Sequence, residues 1–368
     1  MLASLSRTYA VFIKELTQLL HDRLTFGMVV MIPLIQLLLF GYTINTDVRD
    51  VPIAVVDEAM TSFSRQFIHD LEATQVVHVV SRLDIGEQVA RSVRDGKVSA
   101  GLIIPADIER RYYAAAGEPL AQLLVDGSDT VMAAALKSLA AFPFVPGGVI
   151  SAEDSQGYLA VTLLYNPEQR AALFTVPGLL GVILTMTMTM FTAIAIVRER
   201  ERGNMELLIA TPVKPIELMV GKLVPYMCIG MVQVAIILFL GKWLFDVGVV
   251  GNYWLLAFAC LVFIFANLGL GLLLSTKAPN QLGAMQMFIF FLLPSILLSG
   301  FMFPFVAMPK LAQWLAEILP MTHFLRVVRG IVLRDATLLA IWADLAFLFG
   351  FFLVTLILSL LGFRQKLD

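Results

Sequence analysis

The chain has 368 residues, of which 59% are hydrophobic and 15% charged, with a formal net charge of -2 and a mean hydropathy of +0.84. Soluble domains carry about 25% charged residues, so this composition excludes a soluble enzyme and a disordered chain. The charge balance excludes a polybasic nucleic-acid binder.

Charge-free windows mark the elements in chain order. A helix needs about 20 apolar residues to cross a bilayer core. Span 1 is expected at 24–46, span 2 at 171–197, span 3 at 223–241, span 4 within 247–276, span 5 within 278–309 and span 6 at 345–363. The residues ahead of span 1 mix acids and bases, and no Ala-x-Ala site follows, so span 1 reads as an uncleaved anchor. Between spans 1 and 2 lies a mostly polar stretch with 17 acids and 10 bases. Its strands are expected at 51–56, 76–80, 100–104 and 120–125, alternating with helices at 62–71, 85–93, 108–115 and 130–142. That alternation suggests βαβ units. Asp57 and Asp126 follow strands, where turn chemistry is the plainer reading and a ligand loop the sharper one.

The expected fold is thus an α-helical integral membrane protein with six transmembrane helices and an extracytoplasmic α/β domain inserted between spans 1 and 2. The units are 1–46 (an amphipathic helix and span 1), 47–165 (the α/β domain) and 166–368 (spans 2–6). Orientation follows from lysine and arginine in the short loops. With the N-terminus in the cytoplasm, the inner segments hold eleven bases and the outer short loops five, Lys242, Lys310, Arg326, Arg329 and Arg334. Both termini are then cytoplasmic. The outer segment 306–343 carries four of those five bases on the less favoured side. A helical hairpin dipping back into the outer leaflet would accommodate them, paired with lipid phosphates, Glu317 or Asp335. His323, Arg326 and Arg329 are three apart there. A surface or helix-end histidine is the plain reading of His323, and a pH sensor the sharper one.

Candidate lining residues lie in spans 2 and 5. Thr185, Thr189 and Thr192 share one helical face, with Met186 beside them and Phe291 in span 5. Threonine in a span ordinarily bonds the carbonyl one turn back; a mildly polar path for an amphiphilic substrate is the alternative. Asn267, Gly271 and Ser275 read as a packing seam. Cys228 and Cys260 fall in apolar runs and read as inert buried thiols. No paired acids, metal-ligand spacing or nucleophile–base arrangement appears, so the chain is not expected to be an enzyme or to hold a metal.

The segment after span 2, RERERGNMELLIATPVKPIELMVGK (198–222), opens with alternating charges. A turn at Gly203 leads into a short amphipathic helix over 205–210. From spacing alone, a helix receiving force from a soluble partner and a snorkelling membrane-surface turn stand level. The pattern E-R-G-N-x-E-L…T-P here resembles the permease subunit of type-2 (export class) ABC transporters. LPMTHFLRVVR (319–329), IKELTQLLHDR (13–23), and the phrases VPIAVVDE, AGLIIPADI, LLVDGSD and LYNPEQR are similar to the bacterial subgroup with one large periplasmic domain. Asn204 stands where threonine is usual, and it too can cap a helix.

The resemblance implies an inner-membrane exporter subunit whose ATPase contact is Glu201, Arg202, Gly203, Asn204, Glu206, Leu207, Thr211 and Pro212. No phosphate-cradling Gly-x-x-x-x-Gly-Lys-Ser/Thr loop is present, so ATP and Mg would be bound by a separate ATPase chain, in two copies. A second permease, identical or a sister, would complete the path, and a periplasmic adaptor is a further candidate partner. The competing reading is a membrane receptor or scaffold whose outer domain binds a ligand or envelope partner without transport.

Overall fold

The computed structural model describes residues 48–114, 118–141, 144, 158–202 and 215–364. The expected span 1 lies outside them, as does the segment 203–214.

A five-stranded sheet comes first. Its strands are β1 (Val51–Asp57), β2 (Val77–Arg82), β3 (Ala100–Ile104), β4 (Ala121–Asp126) and β5 (Leu159–Leu164), in the order β2-β1-β3-β4-β5. β1 runs parallel to β2 and β3, β4 is antiparallel to β3, and β5 is parallel to β4. β1 is buried along nearly its whole length, as a strand covered on both faces must be. Helices α1 (Ser62–Ala73), α2 (Gly86–Arg94), α3 (Ile108–Ala114) and α4 (Thr130–Ser138) connect the strands. Phe67, Leu71, Met132 and Leu136 from α1 and α4 pack with Ile53, Val55, Leu102 and Leu123 on one face. On the other face Val93 of α2 packs on Ala54. There Gly101 is required: a Cβ would stand 1.8 Å from Cγ1 of Val89. The post-strand aspartates serve turns. Asp57 accepts from the amides of Ala59 and Met60 and from the Ser64 hydroxyl, and Asp126 accepts from the amide of Ser128.

The helices that follow are α5 (Ala171–Leu184), α6 (Met190–Glu201), α7 (Pro215–Phe245), α8 (Tyr253–Lys277), α9 (Gln281–Leu298), α10 (Lys310–Glu317), α11 (Pro320–Arg334) and α12 (Leu338–Arg364). A π-helical segment, Thr185–Thr189, joins α5 to α6 without a break. Among the described residues five stretches are long and apolar enough to cross a membrane: Ala171–Glu201, Val224–Phe245, Tyr253–Lys277, Gln281–Leu298 and Leu338–Gly362. The chain is therefore a multi-pass membrane protein. The last span begins earlier than its charge-free window suggests, because Asp344 is tolerated inside the helix. The helix expected within 278–309 runs over Gln281–Leu298, and a left-handed Gly300 (φ +83°) follows its end.

α8 is the centre of the bundle, with Ala259, Phe263, Ala266, Leu268 and Leu272 buried and the ring of Phe263 stacked on Phe324 of α11 at 3.9 Å. Cys260 is buried on this helix, whereas Cys228, expected to be buried, is exposed on α7; both are free. All four tryptophans, Trp243, Trp254, Trp314 and Trp342, are exposed. They sit at the end of α7, the start of α8, on α10 and at the start of α12, which is the end of the bundle that meets the sheet domain. Tryptophan collects at membrane–water interfaces, and these four positions have that character.

Candidate functional site

Three polar constellations stand out against the apolar bundle. The first lies midway along the membrane. Thr187 donates to the carbonyl of Ile183 at 2.7 Å and to Oε1 of Gln233 on α7 at 2.8 Å. Thr189 lies 3.2 Å from both the carbonyl and the Oδ1 of Asn267 on α8. Gly271 lets the helices approach, since a Cβ there would meet the carbonyl of Thr189 at 2.6 Å and Cβ of Thr192 at 2.8 Å. The π segment is thus the junction of three spans, and such bulges recur at functional sites. Thr185, Thr189 and Thr192 are all fully buried, while Met186 faces outward at 48% exposure and Phe291 is half-buried. The threonine face is therefore a contact inside this chain. Thr187 and Gln233 were not singled out from the sequence; a glutamine inside an apolar span was the available signal.

The second constellation closes the opposite end of the bundle from the sheet domain. Glu201 accepts the amide of Gln281 at 2.9 Å, and its other oxygen accepts the Gln281 side-chain amide. Arg200 donates to the carbonyls of Ser275 at 3.3 Å, of Ala278, and of Pro279 at 3.3 Å. Glu201, expected to face a partner, thus has both carboxylate oxygens committed within the chain. Arg202 is exposed. Gly203, Asn204, Glu206, Leu207, Thr211 and Pro212 lie outside the described residues.

The third brings the segment 306–343 against the sheet domain. Ala307 and Val306 pack on the sheet's core, and Arg334 donates to Oδ2 of Asp126 at 3.0 Å, with only 14% and 6% of the two side chains exposed. Arg326 pairs with Glu317 and lies 4.5 Å over the ring of Phe305. Arg329 donates to the carbonyl of Gly300 at 3.1 Å and lies 4.0 Å over Phe174. His323, expected at a surface or a helix end, lies in the first turn of α11 and is only 7% exposed. Its Nδ1 meets Asp344 at 2.6 Å, its Nε2 meets the carbonyl of Glu317 at 2.9 Å, and its ring stacks on Phe347. The arginines of this segment therefore have partners in the protein itself. Glu317 is one of the two acids expected to pair with them; Asp335 instead ends α11 in a left-handed conformation. On the sheet side, burial pushes the Asp129 carboxyl up from its ordinary value, against the opposing pull of Arg329 and of the Met132 and Val131 amides.

Residues 23–361 match the sequence profile of the family described as "ABC-2 family transporter protein". This chain belongs to that family. Three bacterial relatives are similar along almost their whole length. The "Probable multidrug ABC transporter permease YbhS" of Escherichia coli K12 is 27% identical over 369 residues, covering 98% of both chains. The "Probable multidrug ABC transporter permease YbhR" of the same organism is 28% identical, covering 92% of this chain and 93% of the relative. The "Inner membrane transport permease YhhJ" of that organism is 23% identical, covering 96% of each. The present chain is accordingly an ABC-2 permease, a transporter component rather than an enzyme. The five spans described here and the first two polar constellations belong to its membrane domain, and the third joins that domain to the sheet.

Proposed function

We propose that this ABC-2 permease is the membrane subunit of an exporter that moves amphiphilic or hydrophobic compounds out of the bacterial cytoplasm, driven by ATP hydrolysed on a separate ATPase. The observation that carries the reading is end-to-end similarity to relatives named as multidrug ABC transporter permeases. Both termini and the 198–222 loop face the cytoplasm, and the sheet domain of 47–165 faces the periplasm, a reading supported by the excess of lysine and arginine in the inner segments. Two ATPase copies bind ATP and Mg and dock against 202–212, with Gly203, Asn204, Glu206, Leu207, Thr211 and Pro212 as the contact. Two permeases, identical or sisters, enclose the path. The outward faces carrying Met186 and Phe291 are its candidate lining, whereas Thr185, Thr189 and Thr192 hold the spans together. A periplasmic adaptor would dock on the sheet domain.

Affinity purification from native membranes in mild detergent tests the reading. A co-purifying soluble chain with a phosphate loop, together with a second permease, supports it. Recovery of envelope proteins alone, with no ATPase, favours a receptor or scaffold instead.

A further inference from the structure

Arg200 and Glu201 occupy the last turn of α6, immediately ahead of the loop proposed to meet the ATPase. Their partners are the ends of two other helices. Gln281 opens α9, and its N–H is one of the donors that a helix start leaves without an intrahelical acceptor. Asn280 caps a different one, the N–H of Gly283 at 2.7 Å, and Glu201 takes that of Gln281. The carbonyls that Arg200 reaches, on Ser275, Ala278 and Pro279, are those at and just beyond the end of α8. A carboxylate thus sits on a helix start and a guanidinium on a helix end, each the sign that the helix dipole favours. Two adjacent side chains on one helix grip the turn between α8, the centre of the bundle, and α9.

We infer that Arg200 and Glu201 are positioning residues that tie the ATPase-facing loop to the α8–α9 turn, so that displacement of the loop moves the ends of both helices together. Glu201 then acts through Gln281 and is not itself the ATPase contact. This rests on the proposed role of the 202–212 loop. It adds a load path through α8 and α9 to the one through α6 and α7, the helices that the loop joins in sequence.

A reporter on α9 tests it. Leu282 is 65% exposed, so Leu282→Cys in a Cys228→Ser background can be alkylated with N-ethylmaleimide in the permease–ATPase complex, with and without ATP plus vanadate. Gln281→Pro removes both donors to Glu201 yet suits the first position of a helix, and Asn280 is already extended, as a residue before proline prefers. We expect a several-fold nucleotide-dependent change in alkylation in the parent. It should be lost in Glu201→Ala and in Gln281→Pro, with no further loss in the double variant, while the ATPase still co-purifies. Glu201→Gln, which keeps one acceptor oxygen, should retain part of the response. A parent without a response, singles that keep it, or release of the ATPase by Glu201→Ala but not by Gln281→Pro would each overturn the inference. If the parent captures no ATPase at all, the role of the loop itself fails, and the inference falls with it.

Discussion

Replacing Arg334 with methionine should loosen the sheet domain from the membrane helices. The side chain keeps its bulk but loses the charge facing Asp126, whose carboxylate is only 6% exposed. Removing one partner of a buried pair costs about 3–5 kcal/mol. The low end applies here, because Asp126 keeps the Ser128 amide at 2.9 Å. A loss of about 3 kcal/mol corresponds to roughly 100-fold in an opening equilibrium. Hydrogen exchange of the detergent-solubilised protein reads this directly. Amides of the turn after β4 (Gly127 is bonded to the carbonyl of Leu164 at 2.9 Å) should exchange about 100-fold faster, by the same conversion, while those of β1 stay protected. Adding Asp126→Asn removes the stranded charge and keeps the turn acceptor, so the double variant should recover much of the protection. An Arg334→Met protein with unchanged exchange, or a double variant worse than either single, would refute the idea that this pair holds the domain in place.

Gly271→Ala forces a Cβ to within 2.6 Å of the Thr189 carbonyl, and such overpacking typically costs about 1–3 kcal/mol. The melting temperature in detergent should fall, whereas Gly350→Ala, with nothing within 4 Å of the added atom, should leave it unchanged or slightly raised. Thr189→Val removes the link to Asn267; interhelical bonds of this kind average about 0.6 kcal/mol, so thermal unfolding should shift only slightly. Asp129 holds its proton more tightly when folded than when unfolded, because burial outweighs the pull of Arg329 and of the cap amides. Its stabilising contribution is therefore full below the ordinary value of 3.8 and is lost as pH rises through the elevated folded value. Asp129→Asn retains the helix cap and should flatten that part of the melting-temperature profile measured between pH 4 and 7.

Three of the sheet's first four strands were legible as apolar runs stopped by Asp57, Pro105 and Asp126-Gly127, and the other as the β-branched run 76–80. β5 was not. It follows a long Pro/Gly-broken stretch and leads straight into a span, so its apolar residues merged with the approach to the membrane. The bases of 306–343 were visible as an anomaly of orientation, but the answer for Arg334 was an aspartate 208 positions away, beyond any local pattern. Thr187 and Gln233 escaped for a related reason. The threonine stripe was projected on a 3.6-residue helix, and the π segment changes which threonines face which neighbour. Glu201 was assigned to the ATPase contact through the family pattern, which carries no sign of the helix start that its exposed carboxylate completes.

The π segment also sets a rotational phase. It inserts an extra residue into a span that otherwise follows the α repeat, and one residue turns a helix by about 100°. The two halves of Ala171–Glu201 are therefore clocked against each other. The upper half aligns Phe174 and Gly178 with Arg329 and Phe301, while the lower half aims Arg200 and Glu201 at the α8–α9 turn. A one-residue deletion in the lower half, between 190 and 199, would swing that pair about a quarter-turn off its target; the same deletion within 185–189 would be absorbed as the π turn reverts to an α turn. The bulge thus shifts by one position which residues share a face, so that the side chains one continuous rod offers at its lower end are not those that the α repeat counted from its upper end would select.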